Sequence, residues 1–499
     1  MEIKVEKGIK ITPKMELLTI GLFEEETLPQ AIEQLDVTFD GCIKEVLSSN
    51  DFKGKDEELL LLHPKENPIT KRVLLIGLGK SKECNLEGIR RAAGRASDYS
   101  CKLKVKELSF LLRSFSLSSL DSSQLARALV EASLLASYRF DKFKEKRDKA
   151  KIETIRLWDF EGKKDAEGLR KGGVLGKIIA EETCYARDLV FLPGNCATPE
   201  LLAEEIKKGI SDLPITCSLL TPRDMEKLGM EAILAVGKGS ENPPRLIILE
   251  YNPKNARGKP VLLVGKGVTF DAGGISLKPS REMWEMKSDM AGGAAVVSAV
   301  KVAARLKIPR RIIAIVPAAE NLPSGRATRP GDVVRSYSGK TIEIIDTDAE
   351  GRLLLADALA YGKDVYKPGM MIDLATLTGA CIIALGNHAA GMLGNDKELK
   401  DELRRAGERT YERVWELPLW KEYKEEMKSD IADVKNLGGR EGGAITAAAF
   451  LSEFVGDTPW VHLDIAGVAW TKEKKPYIPK GATGFGVRLL SEFLLNLKG

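Results

Sequence analysis

From residue 198 onward, short apolar runs of strand length alternate with longer stretches of helical pattern. Thr198-Pro199 opens a helix, with threonine as N-cap and proline in the first turn. Strands are then expected at Leu246–Leu249, Val261–Val264, Arg311–Val316, Thr341–Ile345, Met371–Leu374 and Trp460–Ile465. Helices such as Ala294–Leu306, Leu353–Tyr366 and Ala444–Phe454 stand between several of them. Such alternation builds a helix-covered, mostly parallel sheet. In open sheets of this kind, ligands bind outside the carboxyl ends of the strands, so the loops that leave the runs are where function is expected.

Two of those loops are crowded with charge. Residues 261–293 read VLLVGKGVTFDAGGISLKPSREMWEMKSDMAGG and carry Lys266, Asp271, Lys278 and Asp289. Residues 346–353 read DTDAEGRL and carry Asp346, Asp348, Glu350 and Arg352. Each residue has an ordinary structural reading. Thr347-x-x-Glu350 is a capping box, Asp289 fits an N-cap before a helix opening at Met290, Asp271 before Ala-Gly-Gly fits a turn, and Lys266 and Lys278 fit solvated loops. Gly265-Lys-Gly267 runs on into Val268-Thr269-Phe270, so no dinucleotide fingerprint is completed. The joint pattern outweighs these separate readings. Asp271 and Asp289 on one side, and Asp348 and Glu350 on the other, repel one another unless cations lie among them. Two divalent ions about 3.5–4 Å apart would absorb such a cluster. Oxygen ligands suit Mg, Mn or Zn, and a lysine joins such a shell only as a neutral amine.

VGKGVTFDAGGISLKP, KSDMAGGAAV and DTDAEGRL resemble, in order and spacing, the three signature segments of the leucyl aminopeptidase family; DLATLTGA at 373–380 resembles a fourth. The resemblance covers roughly residues 170–499, and less specifically an RVLLIGLGK segment at 72–80. It implies a cytoplasmic exopeptidase of fold class α/β: two α/β domains, each a mixed, mostly parallel sheet covered by helices. The expected divisions are an N-terminal assembly domain at 1–164, a connecting helix and linker at 165–195, and a catalytic domain at 196–499. One divalent ion would be held by Lys266, Asp271, Asp289 and Glu350. The other would be held by Asp271, Asp348 (side chain and carbonyl) and Glu350. The ions would be Zn or Mn, with Mg a third option, bridged by a water or hydroxide. Lys278 would polarise the scissile carbonyl and stabilise the gem-diolate, and Arg352 would hold a bicarbonate ion as general base. Arginine stays protonated and cannot be that base itself, but its planar fork suits an oxyanion. Met286, Thr376, Leu377 and Gly379 would line the substrate cleft, with Asp346 at its edge. The implied substrates are peptides with leucine or another apolar N-terminal residue, whose free amino group binds a metal, and the implied assembly is a homohexamer. The family usually has asparagine where this chain has Asp346. Two readings stay open there: the extra carboxylate tunes substrate preference or metal binding, or it is hydrogen-bonded away with little effect.

The remaining numbers narrow the alternatives. With 499 residues the chain exceeds a single core. Its first 160 or so residues alternate expected strands at Leu59–Leu62, Val73–Leu78, Leu108–Leu112 and Ile152–Trp158 with a helix at Leu125–Tyr138. The 76 basic and 72 acidic residues nearly balance, which gives no reason to invoke nucleic acid or membrane. The basic cluster Lys142, Lys144, Lys146, Arg147 and Lys149 alternates with acids and reads as a solvated face. Seven scattered cysteines without C-x-x-C point to a reducing compartment. MEIKVEKGIKITPK has no apolar stretch of signal-peptide type. Only three histidines occur, His63, His388 and His462, so carboxylates and lysine are the available ligands. His462, in an expected strand, reads as structural. A two-metal phosphoesterase would use similar ions, but the lysine ligand and the lack of histidine count against it. A DNA-binding role on the same scaffold finds no support in the charge.

Overall fold

Uninterrupted aliphatic runs become strands covered on both faces. The computed structural model describes residues 1–8, 14–24, 27–65, 67, 69–145 and 152–497. Lys146, Arg147 and Lys149 of the basic cluster lie outside the described residues. The chain divides into two units, Met1–Glu181 with Glu473–Pro479, and Glu182–Lys472 with Lys480–Gly499.

The first unit holds a six-stranded sheet of β1 (Glu2–Lys7), β2 (Leu18–Leu22), β3 (Leu59–Leu62), β4 (Val73–Gly77), β5 (Glu107–Leu111) and β6 (Thr154–Asp159). Their order is β1-β6-β5-β2-β4-β3, parallel throughout except for the antiparallel edge strand β3. Helices α1 (Gln30–Asp36) and α2 (Cys42–Ser48) follow β2, α3 (Leu86–Lys102) joins β4 to β5, α4 (Ser122–Ser137) joins β5 to β6, and α5 (Ala166–Phe191) begins in this unit and ends in the second. Ile32, Leu35 and Ile43 of α1 and α2 pack on Leu18, Ile20, Val73 and Leu75. The connection from β2 to β4 and the one from β4 back to β5 run in opposite directions along the sheet.

The second unit is built on nine strands: β7 (Ile215–Leu220), β8 (Arg245–Tyr251), β9 (Val261–Gly265), β10 (Gly267–Asp271), β11 (Ile312–Asn321), β14 (Met370–Ala375), β15 (Ala390–Gly394), β16 (Val414–Glu416) and β18 (Trp460–Asp464). They run β16-β15-β18-β14-β9-β11-β8-β7, with β10 beside β11. The centre, β18-β14-β9-β11, is parallel, while β15, β8 and β7 make antiparallel pairs. Leu262, Val264, Ile313, Ile315 and Met371 pack with Leu354, Leu355 and Leu359 of the helix Gly351–Tyr366 and with Phe450 and Leu451 of the helix Gly443–Ser452. Thr198 caps the helix Pro199–Gly209 through Leu201 N.

One expected strand lies elsewhere. β13 (Thr341–Glu343) belongs to a separate three-stranded sheet with β12 (Val333–Arg335) and β17 (Val434–Lys435). Ile342 and Ile344 are buried while Thr341, Glu343 and Ile345 are not. That alternation marks a strand with one wet face rather than a central one. The acidic octet therefore does not leave the main sheet.

The carboxyl ends of β9 and β14 are met by the helix Ala291–Arg305 at unusually short range. A Cβ on Gly292 would stand 2.0 Å from Leu374 O, and one on Gly265 would stand 2.4 Å from Gly292 O. Glycine is what allows helix and strand backbones to touch there.

Candidate metal centre

Four carboxylates, Asp271, Asp289, Asp348 and Glu350, converge there on Lys266 and Lys278. Lys266 leaves the end of β9, Asp271 ends β10, Asp289 follows the 3-10 turn Met283–Ser288, and Glu350 precedes the helix Gly351–Tyr366. Lys266 Nζ lies 2.8 Å from Asp289 Oδ1 and 2.8 Å from Glu350 Oε1, and donates to Thr376 O at 3.0 Å. A Cβ on Gly351 would meet Lys266 Cε at 2.5 Å, so glycine at 351 leaves the lysine its path. Lys278 Nζ sits 2.8 Å from Asp271 Oδ2 and 2.5 Å from Asp348 Oδ1. Asp271, Asp348 and Glu350 each offer an oxygen within 4.8 Å of the others.

These residues fit divalent ions. With every group ionised, two ammonium groups against four carboxylates leave a formal surplus of two negative charges. Glu350 Oε2 is buried without a hydrogen-bond partner. Burial, then the neighbouring Asp271 and Asp289, push the Glu350 carboxyl pKa well up. Burial raises Asp289 as well, and burial with Asp271 raises Asp348. Burial alone would lower Lys266 and Lys278, but the surrounding carboxylates override it and hold both up. The ammonium groups thus stand among carboxylates that suit metal ions.

The two loops are sewn together. Thr347 Oγ1 donates to Gly273 O at 2.7 Å and accepts from Ser276 N at 2.8 Å. Asn321 Nδ2, from the end of β11, donates to Asp271 Oδ1 and to Thr347 O, both at 2.9 Å. The expected capping box is therefore not formed. The helix begins at Gly351, and Thr347 spends its hydroxyl on the neighbouring loop. Asp289 is not an N-cap either, since Met290 holds that position. Asp289 Oδ1 accepts from Thr376 Oγ1 at 2.6 Å instead.

Asn436, just past β17, clamps the octet. Its Oδ1 accepts from Ile345 N at 2.7 Å, its Nδ2 donates to Asp346 O at 2.7 Å, and its carbonyl accepts from Arg352 Nη1 at 2.7 Å. Neither Asn321 nor Asn436 carries a local sequence signal, because their partners lie 26 to 91 residues away. Asp346 Oδ1 accepts from Asp348 N at 2.9 Å. Arg352 is buried with Nε unpartnered, and burial lowers its pKa to about 10, still cationic at neutral pH.

Met286 lies in the 3-10 turn before Asp289, and Thr376, Leu377 and Gly379 follow β14. Leu377 N donates to Asp464 Oδ1 at 3.2 Å. His462 is fully buried, its Nδ1 2.6 Å from Asp373 Oδ1, which makes it part of the sheet rather than of the cluster.

Comparison with known proteins gives the family of the chain. Residues 184–491 match the cytosol aminopeptidase family catalytic domain, and residues 19–147 match the N-terminal domain of that family. A probable cytosol aminopeptidase of Geobacter sp. (strain M21) is 44% identical over 494 residues, 99% of each chain. One of Syntrophotalea carbinolica is 46% identical over 97% of each. The bottromycin maturation enzyme BotP in complex with Mn superposes with a TM-score of 0.84 at 33% identity, covering 96% of this chain and 98% of that one. A tomato leucine aminopeptidase variant gives 0.87 at 33% identity, covering 100% and 97%.

Proposed function

The chain belongs to the cytosol aminopeptidase family and is a metal-dependent aminopeptidase, and from that premise we propose a di-metal exopeptidase acting on peptides with leucine or another apolar N-terminal residue. The observation that carries this reading is the gathering of four carboxylates around two lysines, with the second oxygen of Glu350 buried without a donor. Lys266, Asp271, Asp289 and Glu350 would hold one divalent ion, and Asp271, Asp348 and Glu350 the other. The Mn in the BotP complex supports Mn, with Zn the other choice. When bound, two such ions supply Lewis acidity and a nucleophilic water near neutral pH.

The chain's own residues do the rest. Lys278, about one-fifth exposed and gripped by Asp271 and Asp348, is the cation at the mouth of the cluster. It would face the oxyanion that develops on the scissile carbonyl. Arg352, cationic and short of one partner, is shaped to hold bicarbonate, which supplies the base that arginine is not. Met286, Thr376, Leu377 and Gly379 would line the cleft, with Asp346 at its edge. We assign the enzyme to the cytoplasm as a homohexamer on its family alone. Among the described residues, no helix is long and apolar enough to cross a membrane.

Metal analysis with reconstitution tests the reading. About two ions per chain are expected, with release of leucine from a leucyl anilide lost in Asp271→Ala and Glu350→Ala. Full activity in a metal-stripped sample would overturn it.

A further inference from the structure

The parallel sheet of the first unit has a crevice of its own. β2 and β5 are neighbours, yet their chains leave in opposite senses, β2 toward α1 and β5 toward α4. That is a topological switch point, the place where open α/β sheets bind ligands at the carboxyl ends of their strands. A cavity of about 530 Å³ lies there, bounded by residues 21–23 at the end of β2, by residues 27–29 and 32 after it, and by residues between 113 and 120 beyond β5. Its size falls within the range of small-molecule sites, about 300–1,000 Å³.

The lining has two chemistries. Phe23, Leu28, Leu117 and Leu120 form apolar walls, each only half-buried. Arg113 and Lys164 stand at the edge, and among the described residues no carboxylate lines the cavity. Arg113 Nε forms an ion pair with Glu161 Oε2 at 3.6 Å, too long for a hydrogen bond and on an exposed arginine, the kind of pair that contributes little and opens readily. Ser114 is fully used by the fold: it accepts from Gly21 N at 2.9 Å and donates to Leu111 O at 2.8 Å, which pins the β2 end to the β5 end. The crevice is thus a fixed feature of the sheet, apolar inside and cationic at the edge.

We propose that this crevice binds a small organic anion, a carboxylate or phosphate head carried on an apolar or flat body. The head pairs with Arg113 and Lys164, and the body lies against Phe23, Leu28 and Leu117. None of these residues belongs to the metal centre, so the proposal does not depend on the aminopeptidase reading.

Isothermal titration of the full-length, metal-loaded protein tests it with two probes, isocaproate for the carboxylate source and AMP for the phosphate source. Adenosine serves as the uncharged control. Binding in the millimolar range or tighter by either anion is expected, with AMP binding tighter than adenosine if phosphate is the head. Arg113→Ala/Lys164→Ala should weaken it at least about tenfold, as loss of charge-assisted contacts does. Leu117→Trp, which fills the crevice, should abolish it. Hydrogen exchange should slow at residues 21–23 and 113–120, while KM for a leucyl anilide stays unchanged in the double variant. The proposal is overturned if neither anion binds, if the double variant binds as tightly as the parent, or if protection appears only outside those segments.

Discussion

The hydrogen bonds of Asn436 go to none of the six charged residues of the ion cluster, yet they set the backbone that presents Asp348 and Glu350. It bonds Ile345, Asp346 and Ala349 through its side chain and Arg352 through its carbonyl. Asn436→Ala should lower kcat about a hundredfold, the scale of a misplacement near 1 Å, with ion content near that of the parent. Parental kcat would show that the octet holds its shape unaided. Asp346 already accepts from Asp348 N, a bond asparagine can also make, and it pushes the Asp348 carboxyl pKa up. Asp346→Asn should therefore fold normally and shift preference across a dipeptide panel, most for acidic N-terminal residues, more than it changes metal content. Identical kinetics across the panel would assign Asp346 to the hydrogen bond alone. That Lys266, Asp271, Asp289, Asp348 and Glu350 come together could be expected from the sequence, from charge crowded into glycine-rich loops and from the resemblance of those loops to the family's signature segments. Asn321 and Asn436 were not, since a lone asparagine says nothing about a loop dozens of residues away.

At the scale of elements, the buried strands β9, β14 and β18 could be read directly, because both faces of each are covered and apolar residues outnumber polar ones in all three. β15 reads AGMLG and β16 only VWE, too short or too small in side chain to announce a strand. Thr347 illustrates a different limit. The local pattern offers a capping box, and a partner loop outbids it for the hydroxyl. The helix Ala291–Arg305 carries the sharpest consequence of its own. Gly292→Ala would drive a methyl into Leu374 O, on rigid backbone. It should cost about 2 kcal/mol or more, in the range of severe overpacking, and loosen Lys266, whose N donates to Leu374 O at 3.0 Å. Urea unfolding checks this; an unchanged midpoint would mean that the helix slides away freely.

For the molecule as a whole, the carboxylate cluster couples stability to both metal and pH. Without metal, Glu350 titrates in the folded state at about 8, raised from 4.5 by burial and by Asp271. The folded state then holds a proton that the unfolded state has lost. The stability this contributes is full below about pH 4.5 and disappears as pH rises through about 8. Bound cations remove the need for that proton. Added Mn should therefore raise Tm of the stripped protein more at about pH 8.5 than at about pH 6, a difference read by calorimetry at fixed Mn. Equal shifts at both pH values would dissociate Glu350 from the metal. The stitching of the two loops bears on how activity is acquired. Thr347 reaches Ser276 across 71 residues of chain, and Asn436 reaches Ile345 across 91. Contacts of such long sequence separation close late in folding. On refolding, helix content should return first and peptide hydrolysis should lag behind it, so a nascent chain is harmless to its neighbours until its architecture is complete.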